Sequence, residues 1–78
     1  MSIFSDQVLH MESVDFSRWP TINGDSIVLE NARNEYLEKC LETLNYFMNQ
    51  YSSHINYPVW EEYLNVIEDI LVKKELSI

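Results

Sequence analysis

The chain has 78 residues, a single cysteine and a formal charge of -8, from 13 acidic and five basic residues. This length predicts one domain, residues 1–78, and the lone Cys40 excludes an internal disulfide. The acidic surplus argues against direct nucleic-acid binding and against docking on anionic membranes, and it favours a protein partner with a basic surface.

Residues 1–24 show apolar clusters without a sustained period, which predicts an N-terminal arm with one helical turn near residues 5–11. We expect its apolar side chains to pack on the helices that follow: Phe4, Leu9, Phe16, Trp19 and Ile22. The alternative is a small β-hairpin, because Asn23-Gly24 favours a tight turn between residues 16–22 and 26–29. Pro20 weakens that alternative, since proline cannot donate a ladder hydrogen bond.

Residues 26–52 are predicted to form the first long helix, with Asp25 or Ser26 as its N-cap. Apolar residues recur with a helical period and fall in one sector of about 140°. Its members are Leu29, Tyr36, Leu37, Cys40, Leu41, Leu44, Phe47, Met48 and Tyr51. Arg33 interrupts this stripe. Either its aliphatic stem lies on the core while its charged group stays in water, or its guanidinium group forms a buried ion pair.

Residues 57–75 are predicted to form the second long helix. Pro58 suits a first turn, Glu61 and Glu62 are expected in that turn, and Lys73 with Lys74 suits the C-terminal end of the helix dipole. The stripe that faces the core is Trp60, Tyr63, Leu64, Ile67, Ile70 and Leu71, widened by Val59 and Val66.

The connection at residues 52–56, which overlaps the last residue of the first predicted helix, is short and favours an antiparallel helical hairpin. Each apolar stripe is wider than a two-helix contact requires. The surplus is covered either by the N-terminal arm or by a second copy in a homodimer. The predicted fold class is therefore mainly all-α, with an α+β fold carrying a small N-terminal β-hairpin as the alternative.

The sequence holds no catalytic or metal-binding pattern. One glycine cannot build a phosphate-binding loop, and His10, His54 and Cys40 lack the spacing of metal ligands. Both histidines are expected in exposed loops, and Cys40 is expected to be buried and unreactive. We therefore expect no enzyme, no cofactor and no metal. No signal segment or membrane-length apolar run is seen, which favours the cytoplasm.

Two rows of acidic residues are the candidate partner-binding sites, with Tyr46 as a possible anchor beside the first. The full set is Glu35, Glu38, Glu42, Tyr46, Glu61, Glu62, Glu68 and Asp69. Such rows either keep the protein in solution or bind a cationic protein surface. The sequence thus predicts an inhibitor or neutralising partner of a basic, nucleic-acid-handling protein, of the immunity, antitoxin, anti-restriction or anti-CRISPR type. The alternative is a structural or adaptor subunit of a larger assembly.

Overall fold

The computed structural model describes residues 8–21 and 25–76, and these are mainly helical. Two α-helices pack together, and a small antiparallel sheet precedes them. The elements in chain order are a 3-10 turn at Met11–Ser13, β1 at Arg18–Pro20, β2 at Ser26–Val28, a 3-10 turn at Leu29–Asn31, α1 at Asn34–Gln50 and α2 at Tyr57–Leu76.

The β-hairpin that the sequence offered as an alternative is present in a shorter form. Arg18 pairs with Val28, Trp19 with Ile27 and Pro20 with Ser26. Pro20 is tolerated because each strand of a two-stranded sheet has a free edge. Asn23-Gly24, the predicted turn, lies outside the described residues, as do Phe4, Ile22 and residues 5–7 of the helical turn predicted at residues 5–11. Residues 8–10 are described and are not helical, because the chain forms a 3-10 turn only from Met11 onwards.

The predicted start of the first helix at residue 26 is wrong. Residues 26–28 are a strand, Leu29–Asn31 is a 3-10 turn, and both Ala32 and Arg33 have extended backbones. The backbone N–H of Leu29 donates to the carbonyl of Ser17 at 2.9 Å, which continues the pairing of the sheet. The β-branched pair Ile27-Val28 suits a strand once a partner is available.

Arg33 consequently has a role that neither sequence interpretation gave it. It is the N-cap residue of α1, its side chain is exposed, and the first helical hydrogen bond runs from the N–H of Leu37 to its carbonyl at 3.0 Å. A buried ion pair at Arg33 is therefore ruled out. Asp25 and Ser26, predicted as caps, lie before and within β2.

α2 matches its predicted range closely, with Lys73 and Lys74 in its last turn. Glu61 and Glu62 lie beyond the first turn, contrary to expectation, because the helix already begins at Tyr57. The buried Asn56 precedes it, and its carbonyl accepts the N–H of Trp60 at 3.0 Å. Its side-chain oxygen accepts the N–H of Leu9 at 2.9 Å, which ties the N-terminal segment to the start of α2.

Tyr63 of α2 holds the N-terminal segment against the helices. Its ring is buried and meets Phe16 and Trp19 edge-on, with centroid distances of 4.9 and 5.2 Å. Its hydroxyl donates to the carbonyl of Arg18 at 2.7 Å and lies 3.3 Å from that of Asp15. The buried core is Trp19, Leu29, Ala32, Leu37, Cys40, Leu44, Val59, Trp60, Tyr63 and Ile67. Residues of the N-terminal segment thus cover part of the apolar surface of the helices.

We predict that Tyr63→Phe lowers the free energy of unfolding by about 1–2 kcal/mol. The variant keeps the ring contacts but leaves the carbonyl of Arg18 without its closest donor. Urea unfolding followed by circular dichroism measures the loss. Tyr46→Phe is the matched control, because the Tyr46 ring is 57% exposed and its change should stay within about 0.5 kcal/mol. Equal stability of the two variants would contradict the role given to the Tyr63 hydroxyl.

Candidate interaction surface

Three carboxylates form a row along the exposed side of α1, which we call the acidic row: Glu35, Glu38 and Glu42. Spacings of three and four residues place neighbours on one helical face, and all three side chains are exposed. The opposite face buries Leu37, Cys40 and Leu44. Because one side of α1 is fixed in the core, the acidic row must face solvent.

The acidic row forms no ion pair among the described residues, and Lys39, four residues after Glu35, is the cation nearest to it along α1. Ion pairs within the described ranges join Arg18 to Asp15 and Lys73 to Asp69, and neither involves α1. Like charges three and four residues apart cost a helix a few tenths of a kcal/mol per pair. The row is therefore a concentrated negative surface whose carboxylates form no ion pairs within the described chain.

Tyr46 continues the acidic row one turn beyond Glu42. Its side chain is 57% exposed, and its ring rests edge-on against Phe47 at a centroid distance of 5.4 Å. Tyrosine in this setting offers apolar area and a hydroxyl while losing little side-chain entropy on binding. The row thus ends in an aromatic side chain that is positioned by its neighbour yet open to a partner.

Tyr46 also borders an aromatic cluster where α1 ends and α2 begins, which we call the aromatic end. Phe47 stacks with Tyr51 at 5.7 Å and lies 5.8 Å from Trp60, and His54 stacks on Trp60 at 5.1 Å. The Nδ1 atom of His54 accepts the N–H of Asn56 at 3.0 Å, which fixes the imidazole in place.

Sequence reasoning missed the aromatic end. Tyr51 was expected on the apolar face, but it is 42% exposed, because α1 stops at Gln50 and Tyr51 leaves the helical path. His54 was expected in an exposed loop, but it is half-buried. The available signal was the density of aromatic residues on either side of the connection.

The second predicted row, on α2, is less uniform than the acidic row. Glu61, Glu68 and Asp69 are exposed, but Glu62 is half-buried. Asp69 pairs with Lys73 at 3.0 Å, so its charge is compensated. Within the described chain, no hydrogen bond or ion pair brings this row together with the one on α1.

Cys40 is the one thiol of the chain and lies in the core, with 4% of its surface exposed. Burial raises its pKa to about 11, so it is a protonated thiol at neutral pH, not a nucleophilic thiolate. Residues 8–21 and 25–76 contain no group of three or more His, Cys, Asp or Glu side chains that could hold a metal ion.

The chain matches no family model, no curated protein and no solved structure. Of the helices that the structure describes, none combines the length and the apolar character needed to cross a bilayer.

We predict that stability falls as the pH rises above about 9, the ordinary pKa of cysteine. Burial raises the pKa of Cys40 to about 11 and that of Tyr63 from 10.0 to about 12. The unfolded chain therefore releases these protons first. Below about pH 9 both groups are neutral in the folded and unfolded chains, so the free energy of unfolding is at its full value. It falls between about pH 9 and 12, and Cys40 accounts for at most about 2–3 kcal/mol of this fall.

Urea unfolding at about pH 8 and pH 10 measures the loss in the unmodified protein and in Cys40→Ala. The alanine variant starts less stable, since it creates a small cavity, but it should lose less stability over this interval. Identical losses in the two proteins would show that the thiol does not contribute.

Proposed function

We propose that this protein is a small acidic binding module that inhibits or neutralises a basic, nucleic-acid-handling protein, as immunity, antitoxin, anti-restriction or anti-CRISPR proteins do. The observation that supports this most directly is the acidic row on α1, which has no ion-pair partner in the described chain and ends in the exposed Tyr46. A row of this kind contributes nothing to the fold, so it serves either solubility or binding, and the exposed Tyr46 at its end favours binding.

The physical basis of inhibition would be competition with phosphate groups. A nucleic-acid-binding surface carries arginine and lysine side chains that neutralise phosphates. Carboxylates held at helical spacing can occupy the same cations, and long-range attraction speeds the encounter. Tyr46 would then supply the apolar anchor that a purely electrostatic contact lacks, since tyrosine is enriched among residues that dominate binding energy.

The other parts of the proposal follow from this role. Glu61, Glu62, Glu68 and Asp69 on α2 would form a secondary contact, weakened by the pairing of Asp69 with Lys73. We further infer that α1 and α2 run antiparallel, because the segment between Gln50 and Tyr57 is short and the helices pack on each other. The protein would be non-enzymatic, without a cofactor, and would act in the cytoplasm.

The decisive experiment begins with affinity capture of the partner from extract of the native host, followed by measurement of the dissociation constant with both purified proteins. We predict that Glu35→Lys, Glu38→Lys and Glu42→Lys together weaken binding at least tenfold, about 1.4 kcal/mol. Affinity for the unmodified protein should fall steeply as salt rises, and the slope should be shallower for the triple variant.

A charge-matched control separates the acidic row from net charge. The control replaces three exposed carboxylates outside the row and changes the net charge by the same amount: Glu12→Lys, Asp25→Lys and Glu75→Lys. Tyr46→Ala tests the anchor and should raise the dissociation rate by a larger factor than it lowers the association rate. The proposal fails if binding is insensitive to salt, or if the control triple weakens binding as much as reversal of the acidic row.

A structural or adaptor subunit is the second candidate, and exposed apolar residues outside the acidic row favour it. Ile55 is 64% exposed, and near the end of α2 Val72 and Leu76 are 51% and 79% exposed. Such surface can bind another subunit or a second copy in a homodimer.

Sedimentation velocity on the isolated chain separates the two candidates. An electrostatic inhibitor should sediment as a monomer of 9.3 kDa across the micromolar range. An adaptor that requires its assembly should self-associate, and Leu76→Ser should then restore the monomer because it removes the most exposed of these apolar side chains. Self-association that Leu76→Ser leaves unchanged would place the contact elsewhere.

A further inference from the structure

A pocket lies beside the start of α1, at the end of that helix opposite the aromatic end. It has a volume of about 440 Å³ and opens between β2, the 3-10 turn at Leu29–Asn31 and the first turns of α1. This volume lies within the range of small-molecule sites in proteins, about 300–1,000 Å³. The pocket forms only because residues 26–33 do not continue α1 towards the N-terminus but form a strand, a 3-10 turn and an extended segment.

The pocket has an apolar interior. Ala32 is buried, and Ile27 and Tyr36 line the space as half-buried side chains. The backbone of Ala32 is held on both sides, because its N–H donates to the carbonyl of Leu29 at 3.1 Å and its carbonyl accepts the ammonium group of Lys74. A ligand would therefore meet an apolar surface that is anchored to α2.

Two cations stand at this apolar surface, Arg33 and Lys39. Their side chains form no ion pair or hydrogen bond with any described residue, whereas the side chains of Arg18, Lys73 and Lys74 are all engaged. Asn31 adds an amide group at the same pocket. In a chain of net charge -8, both uncommitted cations thus line one cavity.

We propose that this pocket binds a small organic carboxylate, with the carboxylate between Arg33 and Lys39 and an aromatic or branched aliphatic body against Ile27, Ala32 and Tyr36. A guanidinium group matches a planar carboxylate through two parallel hydrogen bonds. A ligand with a single negative charge is favoured over a phosphate dianion, because Glu35 also lines the pocket and the whole protein is strongly acidic.

The test is a titration of the full chain with 3-phenylpropionate, followed by two-dimensional amide NMR. We expect saturable shifts centred on residues 31–39, with a dissociation constant on the order of 1 mM. The uncharged 3-phenylpropionamide and plain acetate should each bind at least about threefold more weakly, because the amide lacks the negative charge and acetate lacks the aromatic ring. Phenyl phosphate should also bind more weakly, because it carries a second charge.

Substitutions identify the residues that recognise the ligand. Arg33→Gln and Lys39→Gln should each weaken 3-phenylpropionate binding about threefold or more, whereas Glu35→Gln should strengthen it by removing a competing carboxylate. Lys73→Gln is the matched control, since it removes an equal charge outside the pocket. The spectra themselves report whether each variant is folded.

The proposal is overturned if 3-phenylpropionate causes no saturable shift at residues 31–39, or if its amide binds equally well. It is also overturned if Lys73→Gln weakens binding as much as Arg33→Gln, which would indicate a general charge effect. Tighter binding of phenyl phosphate would exclude the monoanionic class of ligand. Glu35 belongs to both surfaces, but Arg33, Lys39 and Lys73 lie outside the acidic row and the titration uses no partner protein, so these results test the pocket separately from the proposed function.

Discussion

The attachment of Tyr63 to β1 and to the residues just before it is the interaction on which the rest of the structure depends. A chain of 78 residues buries only a modest fraction of its surface, and two helices alone would leave a wide apolar face exposed to water. Tyr63 places Phe16 and Trp19 on that face and fixes the Arg18 carbonyl by a hydrogen bond. Once β1 is held there, Ser26–Val28 can pair with it, and this pairing determines where α1 begins. The acidic row and the pocket both follow from that starting point.

The helices could be predicted where local periodicity decides the structure. α2 and the C-terminal part of α1 bury the residues that recur with a helical period, including Cys40 and Leu44. The start of α1 could not be predicted in this way, because it depends on pairing between residues ten apart in sequence, Arg18 and Val28. Leu29 illustrates the difference. It is fully buried, as its position on the predicted stripe required, but it lies in a 3-10 turn beside the sheet.

The candidate sites also differ in whether local periodicity or tertiary structure determines them. Exposure of Glu35, Glu38 and Glu42 follows from the helical period, so sequence alone was sufficient to find the acidic row. The aromatic end and the pocket require tertiary structure, because they are assembled where the chain leaves a helix or has not yet entered one. Arg33 shows why. A helical Arg33 would point at the core, whereas an extended residue before the helix can present its side chain to a cavity.

The distribution of charge separates the groups that stabilise the fold from those available for binding. Arg18 contacts Asp15 and Ser26, Lys73 pairs with Asp69, and the Lys74 ammonium group donates to the Ala32 carbonyl, so these cations join parts of the described chain to one another. The acidic row receives none of this compensation, although Lys39 lies on the same helix. Repulsion along the row costs stability, and a cationic partner would relieve it on binding. The free energy of binding such a partner would therefore include the relief of charge repulsion that is already present in the isolated protein. The side chains of Arg33 and Lys39 form no ion pair in the described chain, so they stay available for a negatively charged ligand at the pocket.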